Sequence, residues 1–258
     1  STTGKYLNPS TNDLETTPVW STFSSLSQPS LVKNLSSGTV YSFTVQAKNG
    51  DGIETATSSS TSSSTLLTSI EAILPTVNSS TSITWNIGPY SDPITSITLH
   101  DEDGTLLQIC PGTDIHSCTE TGLLPSTTYS RKLKIHNNDI SSESAFTNLV
   151  TTTTFANVPS LADIKESGYA SRSSNLVVNK NMNSDETKYL IFESSTNKYL
   201  NPLTGLLVES MNWGTYSQLG GENGITVNGL IPNTNYIFSV KAKNIDDTGQ
   251  DLKGVYSG

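Results

Sequence analysis

The sequence predicts an all-β chain, a tandem of small β domains, and three observations carry that expectation. Of 258 residues only 33% are hydrophobic and 14% charged, while Ser and Thr make up about 29%, far above ordinary globular usage. Several segments alternate apolar and polar residues with the period of a half-buried strand. One of those segments recurs three times along the chain. The same composition argues against a large α/β enzyme, whose buried parallel strands need long Val, Ile and Leu runs, and against helical bundles, which need Ala, Leu, Glu and Lys in quantity.

The recurring segments are Leu35–Asn49, Leu123–Asn137 and Leu230–Asn244. Each has Leu, Thr four residues on, Tyr two beyond that, and Asn eight after the Tyr. In the outer copies Tyr41, Phe43, Val45 and Ala47 match Tyr236, Phe238, Val240 and Ala242, a strict alternation. Pro125 and Pro232 just before the strand mark a tight corner, because no apolar 3.6-residue pattern follows them. A second repeat joins the outer copies alone: residues 5–26 and 198–219 share Lys-Tyr-Leu-Asn-Pro and then Trp-x-Thr-aromatic-Ser-x-Leu, so that Trp20 matches Trp213.

The remaining elements follow in order. In the middle copy, Ser82–Asn86 and Ile94–His100 read as strands, and Asp101–Thr105 as a hairpin turn in which Gly104 supplies the required backbone angle. In the third copy the matching strands are Asn175–Asn179 and Lys188–Glu193. Ala56–Thr65 and Thr151–Pro159 are polar last strands running into short linkers. The expected domains are 1–66, lacking its first strands; 67–156, complete; and 157–258, with its last strand near the chain end. Residues 1–66 would thus be completed either by upstream residues of the same polypeptide or by strands donated from a neighbour.

A Trp-bearing strand, a second strand, a turn, then Leu-x-Pro-x-Thr-x-Tyr and an alternating strand ending in Asn resembles the fibronectin type III domain. The resemblance implies immunoglobulin-like, seven-stranded sandwiches, strands A, B and E against G, F, C and C′, each with a tyrosine corner. It places Trp85 at the strand B tryptophan, Leu35, Leu123 and Leu230 at the E–F corner leucine, and Tyr41, Tyr129 and Tyr236 at the corner tyrosine. The third copy departs from the pattern with Val178 where Trp85 stands, and the first lacks strands A, B and C. Such modules serve as spacers, adhesins and ligand binders alike.

The chemistry-bearing residues are few. Cys110 and Cys118, eight apart, suit a disulfide; free thiols, or a metal site with His116 between them, are the alternatives, although zinc needs three or four good ligands and His100 and His136 have no ligand-like spacing to the pair. A disulfide would place the chain in an oxidising compartment, extracellular or at the cell surface. The carboxylate pairs Asp101/Asp103 and Asp246/Asp247 read as turn residues or as a weak calcium site. The same choice between turn and ligand applies to the Asn-x-Asp runs at Asn49, Asn137 and Asn244. Asn34 and Asn78 carry the glycosylation pattern. Trp20 and Trp213 are core or interface anchors, or platforms for sugar stacking.

Fourteen basic against 23 acidic residues give a net charge of -9, which repels phosphate backbones and speaks against nucleic acid. No stretch approaches the roughly 20 apolar residues of a membrane span, and residues 1–20 lack the order of a signal peptide. Neither a hydrolase signature nor a phosphate loop is present. The expectation is a non-catalytic, cofactor-free extracellular structural or adhesive module, a segment of a longer surface or filament-forming repeat protein resembling prokaryotic surface proteins. Its expected partners are copies of itself or neighbouring surface chains. A carbohydrate-binding or spacer module of a secreted hydrolase is the alternative, and a secreted enzyme in its own right the more distant one.

Overall fold

The computed structural model describes residues 3–26, 29–70, 73–112, 115–165 and 172–244. The protein is all-β and its strands pair antiparallel. It divides into two compact units: residues up to Leu74 with Asn86–Cys118 and Arg131–Leu149, and Pro75–Trp85 with Thr119–Ser130 and the described residues from Val150 onward. Each unit thus takes in part of residues 67–156.

The first segment holds β1 (Tyr6–Leu7) paired with β2 (Leu14–Glu15), and β3 (Val40–Phe43) paired with β4 (Thr61–Ser64). These are separate two-stranded sheets. The alternating run expected to extend from Tyr41 to Asn49 is a strand only as far as Phe43. Val45 is 68% exposed, whereas its counterpart Val240 is 0% exposed. The physical reason is that no second strand among the described residues flanks it: a strand paired on one edge alone is marginal.

The middle segment runs β5 (Ile73–Ser79), β6 (Ser82–Ile87), β7 (Ser96–His100), β8 (Leu106–Pro111), β9 (Ser117–Thr121), β10 (Thr128–Asn137), β11 (Ser142–Glu143) and β12 (Val150–Thr153). One sheet has the order β5-β6-β9; the other is β11-β10-β7-β8, with β12 also on β10. Strand β6 alternates as expected, burying Ile83, Trp85 and Ile87. Its neighbour Glu120 accepts a hydrogen bond from the Trp85 indole at 3.1 Å. The turn after β7 closes with the Asp101 N–H donating to the Thr105 carbonyl and the Asp101 carboxylate accepting the Thr105 N–H, and Gly104 takes φ 92°, where a side chain would be strained.

The third segment contributes β13 (Ser160–Lys165), β14 (Ser173–Asn179), β15 (Lys188–Glu193), β16 (Lys198–Leu200), β17 (Leu207–Val208), β18 (Gly214–Thr215), β19 (Ile225–Asn228) and β20 (Phe238–Lys243). Sheet β13-β14-β19 and the sheet built on β15 share one core. Leu176, Val178, Ile225 and Val227 come to it from one layer, Tyr189, Ile191, Leu200 and Val240 from the other. That is the two-layer arrangement of a β-sandwich. Val178, standing where the middle copy has Trp85, is likewise buried. Glu193, fully buried at the end of β15, accepts hydrogen bonds from the N–H groups of Ser195, Thr196 and Ile237 and from the Thr196 hydroxyl. Burial works to raise its pKa, but those donors together hold it at about 2.

Residues 5–26 and 198–219, alike in sequence, are alike in structure. Tyr6 pairs with Glu15 and Leu7 with Leu14, just as Tyr199 pairs with Val208 and Leu200 with Leu207. The connecting turns match as well: Asn8 and Asn201 each accept a backbone N–H two residues on, and Asn12 and Gly205 both take φ 67°. Asn tolerates that left-handed conformation best among residues other than Gly.

Candidate functional site

The corner tyrosines share one geometry. The hydroxyls of Tyr41, Tyr129 and Tyr236 each accept the backbone N–H five residues upstream: Ser36 at 2.9 Å, Leu124 at 2.8 Å and Ile231 at 2.9 Å. Leu-x-Pro or Leu-Ser-Ser opens each corner, and the Tyr ring folds back over it. Tyr41 is buried, whereas Tyr129 and Tyr236 are only half-buried. Both latter rings sit at the outer rim of the corner, where Leu124 and Ile231 are themselves exposed.

Beside two of these corners lie the joins to the next segment, built twice in the same way. In the first unit, the Thr65 hydroxyl accepts the Thr39 N–H and donates to the Ser36 carbonyl. The Thr65 carbonyl accepts the Ser142 hydroxyl, and three residues on, the Thr68 N–H donates to the Asp92 carboxylate at 2.6 Å. In the second unit, the Thr154 hydroxyl accepts the Thr127 N–H and donates to the Leu124 carbonyl. The Thr154 carbonyl accepts the Asn244 side-chain amide, and the Asn157 N–H donates to Asn183 Oδ1 at 2.6 Å. Asp92 also takes the Ser37 hydroxyl at 2.7 Å. Burial works to raise its pKa, yet the hydrogen bonds from Thr68 and Ser37 hold it below the usual carboxylate value.

The tryptophans each carry a lysine. Lys48 Nζ lies 5.3 Å from the Trp20 ring centre and Lys243 Nζ 4.8 Å from that of Trp213. Lys48 and Lys243 occupy the same position, seven residues after the corner Tyr. Such pairs contribute about 0.5–1 kcal/mol at exposed sites. Trp20 is 44% exposed and Trp213 half-buried, so neither is a core residue. In the sequence only their matched positions mark these lysines.

Cys110 and Cys118 form a disulfide with Cα atoms 5.7 Å apart. It ties β8 to β9, strands of two different sheets. His116 rests against the Tyr90 ring at 5.2 Å, and the Tyr90 hydroxyl donates to the Ile115 carbonyl. His100 and His136 come together elsewhere, each with Nε2 on the Thr98 hydroxyl, at 2.9 and 2.8 Å. Among the described residues no three His, Cys, Asp or Glu side chains are placed to hold a metal ion. Asn49 and Asn137 spend their side-chain oxygens on the backbone of their own turns, through Asp51 and Ile53 in one and Asp139 in the other. Asn244 instead serves the join; Ile245, Asp246 and Asp247 lie outside the described residues. Asn34 and Asn78 are engaged with Asp13 and Thr84. Among the described residues no helix is long and apolar enough to cross a membrane.

No protein-family model matches the chain, and no curated protein matches it.

Proposed function

We propose that the chain is a non-catalytic extracellular module with a structural or adhesive role, a run of fibronectin type III-like sandwiches held at fixed joins. The observation that carries this reading is the duplicated join: Thr65, Thr68 and Asp92 in one place, Thr154, Asn157 and Asn183 in the other. Linked domains move relative to one another unless something prevents it. A chain that repeats the same pins serves to transmit position or load. The Cys110–Cys118 disulfide supports an oxidising compartment, and the Ser- and Thr-rich surface suits a protein working in the open. Neighbouring surface chains, or copies of the chain itself, are the partners such a module implies.

A second reading rests on Trp20, whose partial exposure leaves apolar ring area for stacking against a sugar. Lys48 already sits over that ring, which favours the structural role.

Antibodies raised against the folded chain should label intact, unpermeabilised cells of its source, and Cys110 and Cys118 should be recovered oxidised after thiols are blocked at lysis. Labelling only after lysis, with both thiols free, would contradict the proposal.

A further inference from the structure

In the third segment β15 lies between β20 on one side and β16 and β18 on the other. The equivalent place in the first segment, between residues 42–48 and β1, holds no described strand, and β1-β2 and β3-β4 stand apart as separate sheets. The backbone there is poised for one. Val45 and Ala47 direct their carbonyls toward Ser58 and Thr55. Because backbone groups alternate along a strand, those of Thr44 and Gln46 point to the other side. Their counterparts Ser239 and Lys241 pair with Phe192 and Leu190 of β15.

The apolar face points to the same occupant. Phe238, Val240 and Ala242 are buried with Tyr189 and Ile191 of β15 and with Leu176 and Val178 of β14. Phe43 is only half-buried, and Val45 and Ala47 are exposed.

We propose that the first segment is a strand acceptor, whose occupant is an extended two-strand segment with the chemistry of β14 and β15. One strand directs two aliphatic residues at alternate positions onto Phe43 and Val45. The other pairs antiparallel with residues 42–48 and directs an aromatic and a β-branched residue inward. This is β-strand addition, with specificity read by alternate side chains.

The test uses the intact chain and a synthetic peptide with the sequence of residues 173–196, followed by residue-resolved amide exchange. The peptide should bind and slow exchange at Thr44 and Gln46 at least about tenfold. A peptide of the same composition with its alternation broken should not. Val45→Lys, at an exposed position that folding does not need, should weaken binding about tenfold or more, as should Gln46→Pro, which removes an edge donor. Unchanged exchange at Thr44 and Gln46 under saturating peptide would overturn the proposal. Protection elsewhere, equal binding of the scrambled peptide, or full binding to both variants would overturn it as well.

Discussion

Asn183 holds at the second join the post that Asp92 holds at the first: each accepts, at 2.6 Å, the backbone N–H of the residue three beyond the join threonine. An amide and a carboxylate thus do the same work, with one difference. Asn183 returns a hydrogen bond, from Nδ2 to the Asn157 carbonyl at 2.9 Å, whereas Asp92 gathers a second donor, the Ser37 hydroxyl.

Asp92→Ala should therefore cost about 1.5–3 kcal/mol, the range for hydrogen bonds to a charged group. Asp92→Asn should cost less, since the other join shows that an amide suffices. Because the carboxyl pKa is lowered in the folded state, its contribution is complete above the unfolded value of about 3.9 and is lost as pH falls below it. Urea unfolding followed at pH 7 and pH 3 should show a smaller acid loss for Asp92→Asn than for the parent.

Tyr129→Phe removes the acceptor for the Leu124 N–H and should cost about 1 kcal/mol. Tyr129→Ala also leaves a cavity and should cost about 3 kcal/mol. Equal losses for the two variants in chemical denaturation would show that the hydroxyl, not the ring, carries the corner.

Replacing both Cys110 and Cys118 by Ser should lower stability by about 2.5 kcal/mol, the chain-entropy value for so short a loop. The middle segment should still fold. Mass spectrometry of the parent under non-reducing conditions should show the peptides on either side linked.

His136 titrates below its ordinary range, chiefly because burial disfavours the imidazolium; Lys134 and His100 add to this, while the Glu143 carboxylate, 3.6 Å from Nδ1, opposes it. The unfolded chain then takes up the proton first as pH falls. The group's contribution is present above about pH 6.5 and lost below it. His136→Gln should flatten the stability difference between pH 7.5 and pH 5.5, and the His136 ring resonances should titrate below the ordinary histidine range.

Much of this was legible in the sequence because it is local. The corner depends on Tyr41, Tyr129 and Tyr236 meeting a backbone N–H five residues away, so spacing alone specifies it. The matching turns at Asn8 and Asn201 are local too. The joins are not. Asp92 and Asn183 differ in type, fall outside the aligned repeats, and meet Thr68 and Asn157 from 24 and 26 residues away. Exposure of Val45 and Ala47 was likewise hidden, since an alternating pattern records which side a strand would bury but not whether anything covers it. Trp20 and Lys48 lie in separate repeats, and only the fold brings them together.

Amide exchange at Thr68 and Asn157 tests the fixed joins most directly. Both N–H groups should exchange markedly slower than that of the exposed turn residue Asp103, and Asp92→Ala should speed up Thr68 while leaving Asn157 unchanged. Exchange at Thr68 and Asn157 as fast as in the exposed loops would mean that the joins are open in solution, and would contradict the account.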